Sequence, residues 1–307
     1  MGTIGWDADL GKELFVLNRV IRLSDEDGRE FAEIEPDFRH VKEILKETGL
    51  ASSAKGVATP REKQKDELVI LGRRAPALSP ADTTKYRSVV MRASYLSQDR
   101  PDLAESVKCL AQHMQGPNTY DWDQVKRMAR YLVSRPRAVL RFQAQDLPDR
   151  VRAFGDSDWM GDPITRKSTS GTAILVGRHC VKTSSTLQSL VTLSVGESEY
   201  YALVKTAALA LGVRSLFEDL GIVMGVETRS DSTAAKSLSS RLGVGRTKHM
   251  QSRWLWLQEK VQDEELTVQK EATAKNVSDI LTKPCGRPTL DKHLEQLGVN
   301  FKKVQAE

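Results

Sequence analysis

The stretch from residue 138 to residue 231 constrains the fold most. "AVLRFQA" (138–144), "VRAFGDSD" (151–158) and "SGTAILVGRHCVKTSS" (170–185) are strand-like, and the last reads as a hairpin turning at Gly177. A long helix over about 195–220 follows, then the strand "GVETRSD" (225–231). Beyond it come a short helix in "STAAKSLSS", a longer one in "TKHMQSRWLWLQEKVQDEE", a strand in "LTVQKEA" and a final helix opened by "NVSDILTK". Strands in succession, then helices alternating with further strands, predict an α/β domain with a mixed sheet.

The first half has a different texture. "KELFVLNRVIRL" and "REFAEIE" flank the turn-forming "SDEDG" and read as a β-hairpin. "EPDFRHVKEILKETGL" reads as a helix with Val41, Ile44 and Leu45 in one stripe and Gly49 after its last turn. Small, charged and proline residues dominate 51–80, which predicts a mostly irregular linker. Three helices follow, at about 81–97, after Arg100-Pro101-Asp102, and at about 119–134. The expected division is 1–137 and 138–307.

The chain has 307 residues, a net charge of +5 and a pI near 9.0, a mild basic bias compatible with a nucleic-acid partner. Three dispersed cysteines (Cys109, Cys180, Cys285) offer neither a disulfide framework nor a cysteine zinc site, as expected in a reducing compartment. No apolar run reaches the roughly 20 residues of a membrane span, and the N-terminus has no signal-peptide pattern.

Four acidic residues fall at element ends in the second half: Asp156 on a strand, Glu199 in the first turns of the long helix, Asp231 at a strand-to-helix junction and Asp279 at the start of the last helix. Such ends can converge on one sheet edge. Converging carboxylates repel unless cations lie between them, and oxygen-only ligands suit Mg²⁺ or Mn²⁺. Two such ions can hold the attacking and leaving oxygens of a phosphodiester displacement. Each residue also has a structural role open to it. Ser194 and Glu197 form a capping-box pattern, Asn276 and Asp279 another, and Asp231 could cap the helix it begins. Asp156 and Asp158 are two apart on a strand, share a face, and are not separated by periodicity.

From about residue 83 to 300 the chain resembles the end of a copia-type retrotransposon Pol polyprotein: the C-terminal part of the reverse transcriptase followed by its ribonuclease H domain. The resemblance rests on "YRSVVMRASYLSQDRPDLAESV", "WDQVKRMARYLV", "GDSDWMGDPITRKSTSG", "TLSVGESEYYAL", "SDSTAAKSL", "RTKHMQSRW" and "NVSDILTKP", in the family's order. It implies a ribonuclease H-like five-stranded mixed sheet flanked by helices, preceded by a β-hairpin and a helical thumb or connection remnant. It also implies two Mg²⁺ (or Mn²⁺) ions held by Asp156, Glu199, Asp231 and Asp279, and cleavage of the RNA strand of an RNA–DNA hybrid. Asp156 would bridge the ions, Glu199 and Asp231 would complete one shell, and Asp279 would hold the ion that activates water. Asp158 and Asp162 remain runner-up ligands or solvated neighbours.

The family's polymerase turn, Tyr-x-Asp-Asp, does not occur in the sequence, so no DNA synthesis is expected. No histidine precedes Asp279 in "QKEATAK", and His249 is expected to have a packing or solvated role. Lys126, Arg127 and Arg130 on one helix, with Arg166, Lys167, Arg246 and Lys248, are the candidate phosphate contacts; the alternative is solvated charge. The competing function is an inactive element remnant that binds nucleic acid without cutting it. An integrase is disfavoured because Glu199 comes second in the acidic series. Expected partners are the hybrid and the rest of the polyprotein. The expected location is cytoplasmic particles, with the nucleus as the alternative.

Overall fold

The structure is a computed structural model and describes residues 11–50, 54–243, 249–250 and 252–302. In chain order it begins with strands β1 (Glu13–Val16), β2 (Arg19–Glu26) and β3 (Arg29–Pro36) and helices α1 (Arg39–Glu47), α2 (Asp66–Gly72), α3 (Pro80–Leu96), α4 (Pro101–Ala111) and α5 (Thr119–Ser134). Strands β4 (Arg137–Gln143), β5 (Arg150–Asp158), β6 (Thr169–Val176) and β7 (His179–Leu187) follow, then α6 (Val195–Asp219), β8 (Gly225–Ser230), α7 (Thr233–Ser239), α8 (Trp256–Gln262) and β9 (Thr267–Lys270). Helix α9 (Arg287–Gln296) and strand β10 (Val299–Lys302) end the described chain. Among the described residues no helix is long and apolar enough to cross a membrane.

The chain divides into two compact units, Met1–Ala144 with Pro284–Glu307, and Gln145–Lys283. The first carries an antiparallel sheet in the order β1-β2-β3-β4-β10. Asp27 and Gly28 both have positive φ, as the expected β2–β3 hairpin requires. A second turn, at Leu17 and Asn18 (φ +49° and +58°), splits the run 12–23 into β1 and β2, where the sequence pattern reads as one strand. Helices α1 and α3 to α5 enclose a core that includes Ile44, Tyr86, Val90, Leu103, Met128 and Leu132. Beneath them Arg100 is buried, its Nη2 2.6 Å from Asp102 Oδ2, while Tyr131 donates to the same oxygen and Arg100 Nη1 donates to the Arg135 carbonyl.

Three expectations are corrected by these elements and the segment that leads into α9. The boundary between 137 and 138 falls inside β4, which pairs with β3 and β10 and not with the mixed sheet. The reason is charge: Glu33 and Glu35 are buried on β3, and β4 brings Arg141 (2.8 Å) and Arg137 (2.6 Å) to them. The supposed linker contains α2, with Asp66 and Glu67 in its first turn where the helix dipole favours acids. "NVSDILTK" makes only a 3-10 turn, Val277–Leu281; Pro284 intervenes, and α9 starts at Arg287 and belongs to the first unit.

The second unit contains the mixed sheet in the order β7-β6-β5-β8-β9. Strands β5, β6 and β7 are antiparallel neighbours, while β8 and β9 run parallel to β5. This is the five-stranded ribonuclease H-like arrangement. Strand β6 is buried along its whole length, which identifies it as interior. Helix α6 packs Tyr200, Leu203, Ala207 and Ala210 onto Val151, Ala153, Ile174 and Val226. The helix expected through "TKHMQSRWLWLQEKVQDEE" is shorter within the described residues, a 3-10 turn at Ser252–Leu255 running into α8.

Candidate active site

The second half of β5 lies beside α6, β8 and the Val277–Leu281 turn, so four chain segments meet at one sheet edge. Oxygens of Asp156, Glu199 and Asp231 all lie within 4.8 Å of one another. Asp156 and Glu199 are only 5% and 6% exposed, and Asp231 is half-buried.

Each of the structural alternatives for these acids has an answer in the hydrogen bonds. Ser194 Oγ accepts from the Glu197 N–H and caps α6. Glu197 is spent on the same helix start: its carboxylate accepts from the Leu193 N–H and the Tyr201 hydroxyl and lies 3.1 Å from His249 Nε2. Glu199 has no such duty; its Oε2 is buried with no hydrogen-bond partner. The cap of α7 is Ser232, which accepts from the Ala235 N–H, and this leaves Asp231 to the cluster. Asn276 accepts from the Ser278 N–H at the 3-10 turn and donates to the Gly155 carbonyl, docking that turn on β5.

Asp279 lies on that turn, close enough to Asp156 to act on its charge, and its Oδ1 is 2.6 Å from Lys283 Nζ. Thr282 donates to Asp156 Oδ2 at 2.7 Å. Sequence reasoning missed Thr282 and Lys283; the signal was their spacing, three and four residues after Asp279 on one short turn.

The electrostatics follow from burial. Desolvation pushes the Asp156 carboxyl up to about 6, opposed by the Thr282 hydrogen bond and reinforced by Asp279. Desolvation, followed by the charges of Asp156 and Asp231, pushes Glu199 up to about 9, against a hydrogen bond from the Ser157 backbone. Burial lowers Lys283, but the hydrogen bond and charge of Asp279, with Asp156 and Asp158, outweigh it and the net shift is upward.

The remaining candidates are not among the three acids whose oxygens converge. Asp162 accepts from the Ile164 and Thr165 N–H groups and organises its own loop. Asp158 is half-buried at the end of β5, where its charge acts on Lys283. Arg166 is exposed, with φ +59°, and Lys167 is half-buried, both in the loop between β5 and β6. Lys126, Arg127 and Arg130 lie on α5 in the other unit; Arg130 is exposed, whereas Arg127 already pairs with Glu62 at 2.7 Å. Arg246 and Lys248 fall outside the described residues.

The chain is 30% identical over 264 residues to the Retrovirus-related Pol polyprotein from transposon RE2 of Arabidopsis thaliana, a match covering 85% of this chain and 18% of that protein. Such relatives are copia-type retrotransposon Pol polyproteins, the group that the sequence resembles. The corresponding polyprotein from transposon TNT 1-94 of Nicotiana tabacum is 31% identical over 203 residues, 66% of this chain and 15% of its own length. The chain thus spans under a fifth of these copia-type relatives. No family model matches. A foamy viral protease-reverse transcriptase, solved in complex with dsDNA, superposes over 86% of this chain and 46% of its own, with a TM-score of 0.51 at 12% identity, a likeness of fold alone.

Proposed function

We propose that the second unit is a metal-dependent endonuclease that hydrolyses the RNA strand of an RNA–DNA hybrid. The observation that carries this reading is the meeting of Asp156, Glu199 and Asp231 with Glu199 Oε2 buried and unpartnered. Buried carboxylates this close repel, and an orphaned buried oxygen is costly, so the set fits a divalent cation. Asp156, Glu199 and Asp231 would hold it, with Asp279 as a fourth ligand for a second ion. Bound there, Mg²⁺ or Mn²⁺ would polarise a phosphoryl oxygen and lower the pKa of water.

The chain's own residues have distinct tasks. Thr282 fixes the orientation of Asp156, and Asn276 fixes the turn that carries Asp279. In the cation-free chain Glu199 holds a proton at neutral pH, which relieves repulsion within the cluster. Arg166 and Lys167 lie in the β5–β6 loop of the same unit, where they would meet phosphates. The sequence has no Tyr-x-Asp-Asp turn, and the proposal includes no polymerase activity.

The test is cleavage of a labelled RNA–DNA hybrid with Mg²⁺, beside Asp231→Asn. Wild-type cleavage that drops more than about a hundredfold in the variant supports the proposal. Equal inertness of the two proteins, with the hybrid still bound, makes the chain a binding remnant and overturns it.

A further inference from the structure

Lys283 is the cation that the carboxylate cluster already possesses. It lies four residues after Asp279, and its Nζ is 2.6 Å from Asp279 Oδ1. Its backbone follows directly on Thr282, which is buried and bonded to Asp156. The turn Val277–Leu281 is docked by Asn276 on the Gly155 carbonyl, so the segment delivers an acid, a hydroxyl and an ammonium to one place. Its side chain is 45% exposed, which leaves it room to swing away from Asp279 into solvent.

We propose that Lys283 is a built-in counter-ion that holds Asp279 in the metal-free site and competes with a divalent cation for that carboxylate. This rests on the reading of the cluster as a metal site. An ammonium and a divalent ion cannot both take the same oxygen at close range, and they repel each other. Lys283 therefore keeps the fourth carboxylate paired while the site is empty, and releases it when a cation binds. It is a positioning residue that acts through Asp279. A nearby unit charge changes the binding of a charged partner by one to three powers of ten, and the partial exposure of Lys283 argues for the lower end.

The experiment is calorimetric titration of the full chain with Mg²⁺, and separately Mn²⁺, without nucleic acid, using wild type, Lys283→Met, Lys283→Gln, Lys283→Arg and Asp156→Asn. Wild type binds and Asp156→Asn loses that binding. Lys283→Met binds about tenfold more tightly, and Lys283→Arg stays within about threefold of wild type. Lys283→Gln carries the same expectation as Lys283→Met should the latter fail to fold. Loss of a merely structural contact would weaken the site, so tighter binding separates the two roles. Unchanged or weaker affinity in both neutral variants overturns the proposal while leaving the metal site intact. Wild-type heats no different from those of Asp156→Asn would sink the metal site itself, and this inference with it.

Discussion

Gly171 stands directly opposite Asp156 in the antiparallel ladder between β5 and β6. A Cβ built at Gly171 would lie 2.6 Å from Thr282 Cγ2 and 2.7 Å from the Ser278 carbonyl. The turn carrying Asp279 therefore rests on bare backbone, and the closeness of Thr282 to Asp156 depends on it.

Gly171→Ala is expected to push the Val277–Leu281 turn off the sheet, because the Ser278 carbonyl, almost as near as the Thr282 methyl, is backbone and cannot rotate away. Overpacking of this kind costs about 1–3 kcal/mol, and a small misplacement of a catalytic group can cost about a hundredfold in rate. Denaturant melts and hybrid cleavage measure the two effects. A variant with wild-type activity would mean that the turn does not need its present seat.

Stability of the cation-free protein should fall with rising pH. Asp156 rises from 3.8 to about 6 and Glu199 from 4.5 to about 9, so the folded chain keeps protons that the unfolded chain has released. Their favourable contribution is full below the unfolded values and is lost as pH climbs through this window. Thermal melts in chelator from pH 4.5 to 9.5 should show wild type losing ground relative to Glu199→Gln. Saturating Mg²⁺ should shrink the difference. A gap between the two proteins that is independent of pH would contradict the assignment.

In the first unit, Arg100→Met should destabilise by about 3–5 kcal/mol, because it strands the buried Asp102 carboxylate. Exchanging the pair together, with Asp102→Leu, should recover part of that loss. A double-mutant cycle in urea reads both, and simple additivity would show that the two groups act independently.

Arg166→Ala and Lys167→Ala should each weaken hybrid binding similarly for all sequences and lower the slope of log affinity against log salt by about one. Equal slopes in wild type and double variant would remove the β5–β6 loop from the interface.

Much of this was legible in residue order. The periodicity of β5 to β7, the length of α6 and the Ser194–Glu197 pattern all depend on contacts within a few residues, and local chemistry decides them. The same locality explains why Glu197 could be set aside as a helix-start residue, although its carboxylate reaches the Leu193 N–H, one residue earlier than the capping pattern predicts. The split of 12–23 into two strands was not legible, because Leu17 adopts positive φ without a glycine to mark the turn. Nor was the destination of β4, which was chosen by buried glutamates about a hundred residues away.

Sequence alone determined which side chains carry charge and which elements bear them: four acids at element ends, and a strand order that demands a mixed sheet. Only the tertiary structure decided which acids meet, and that a lysine sits beside the fourth. Capping and periodicity are local and repeat every few residues, so they are written in the chain. Charge neutralisation in a buried cluster depends on distances between segments brought together by folding, and no spacing along the chain encodes those distances.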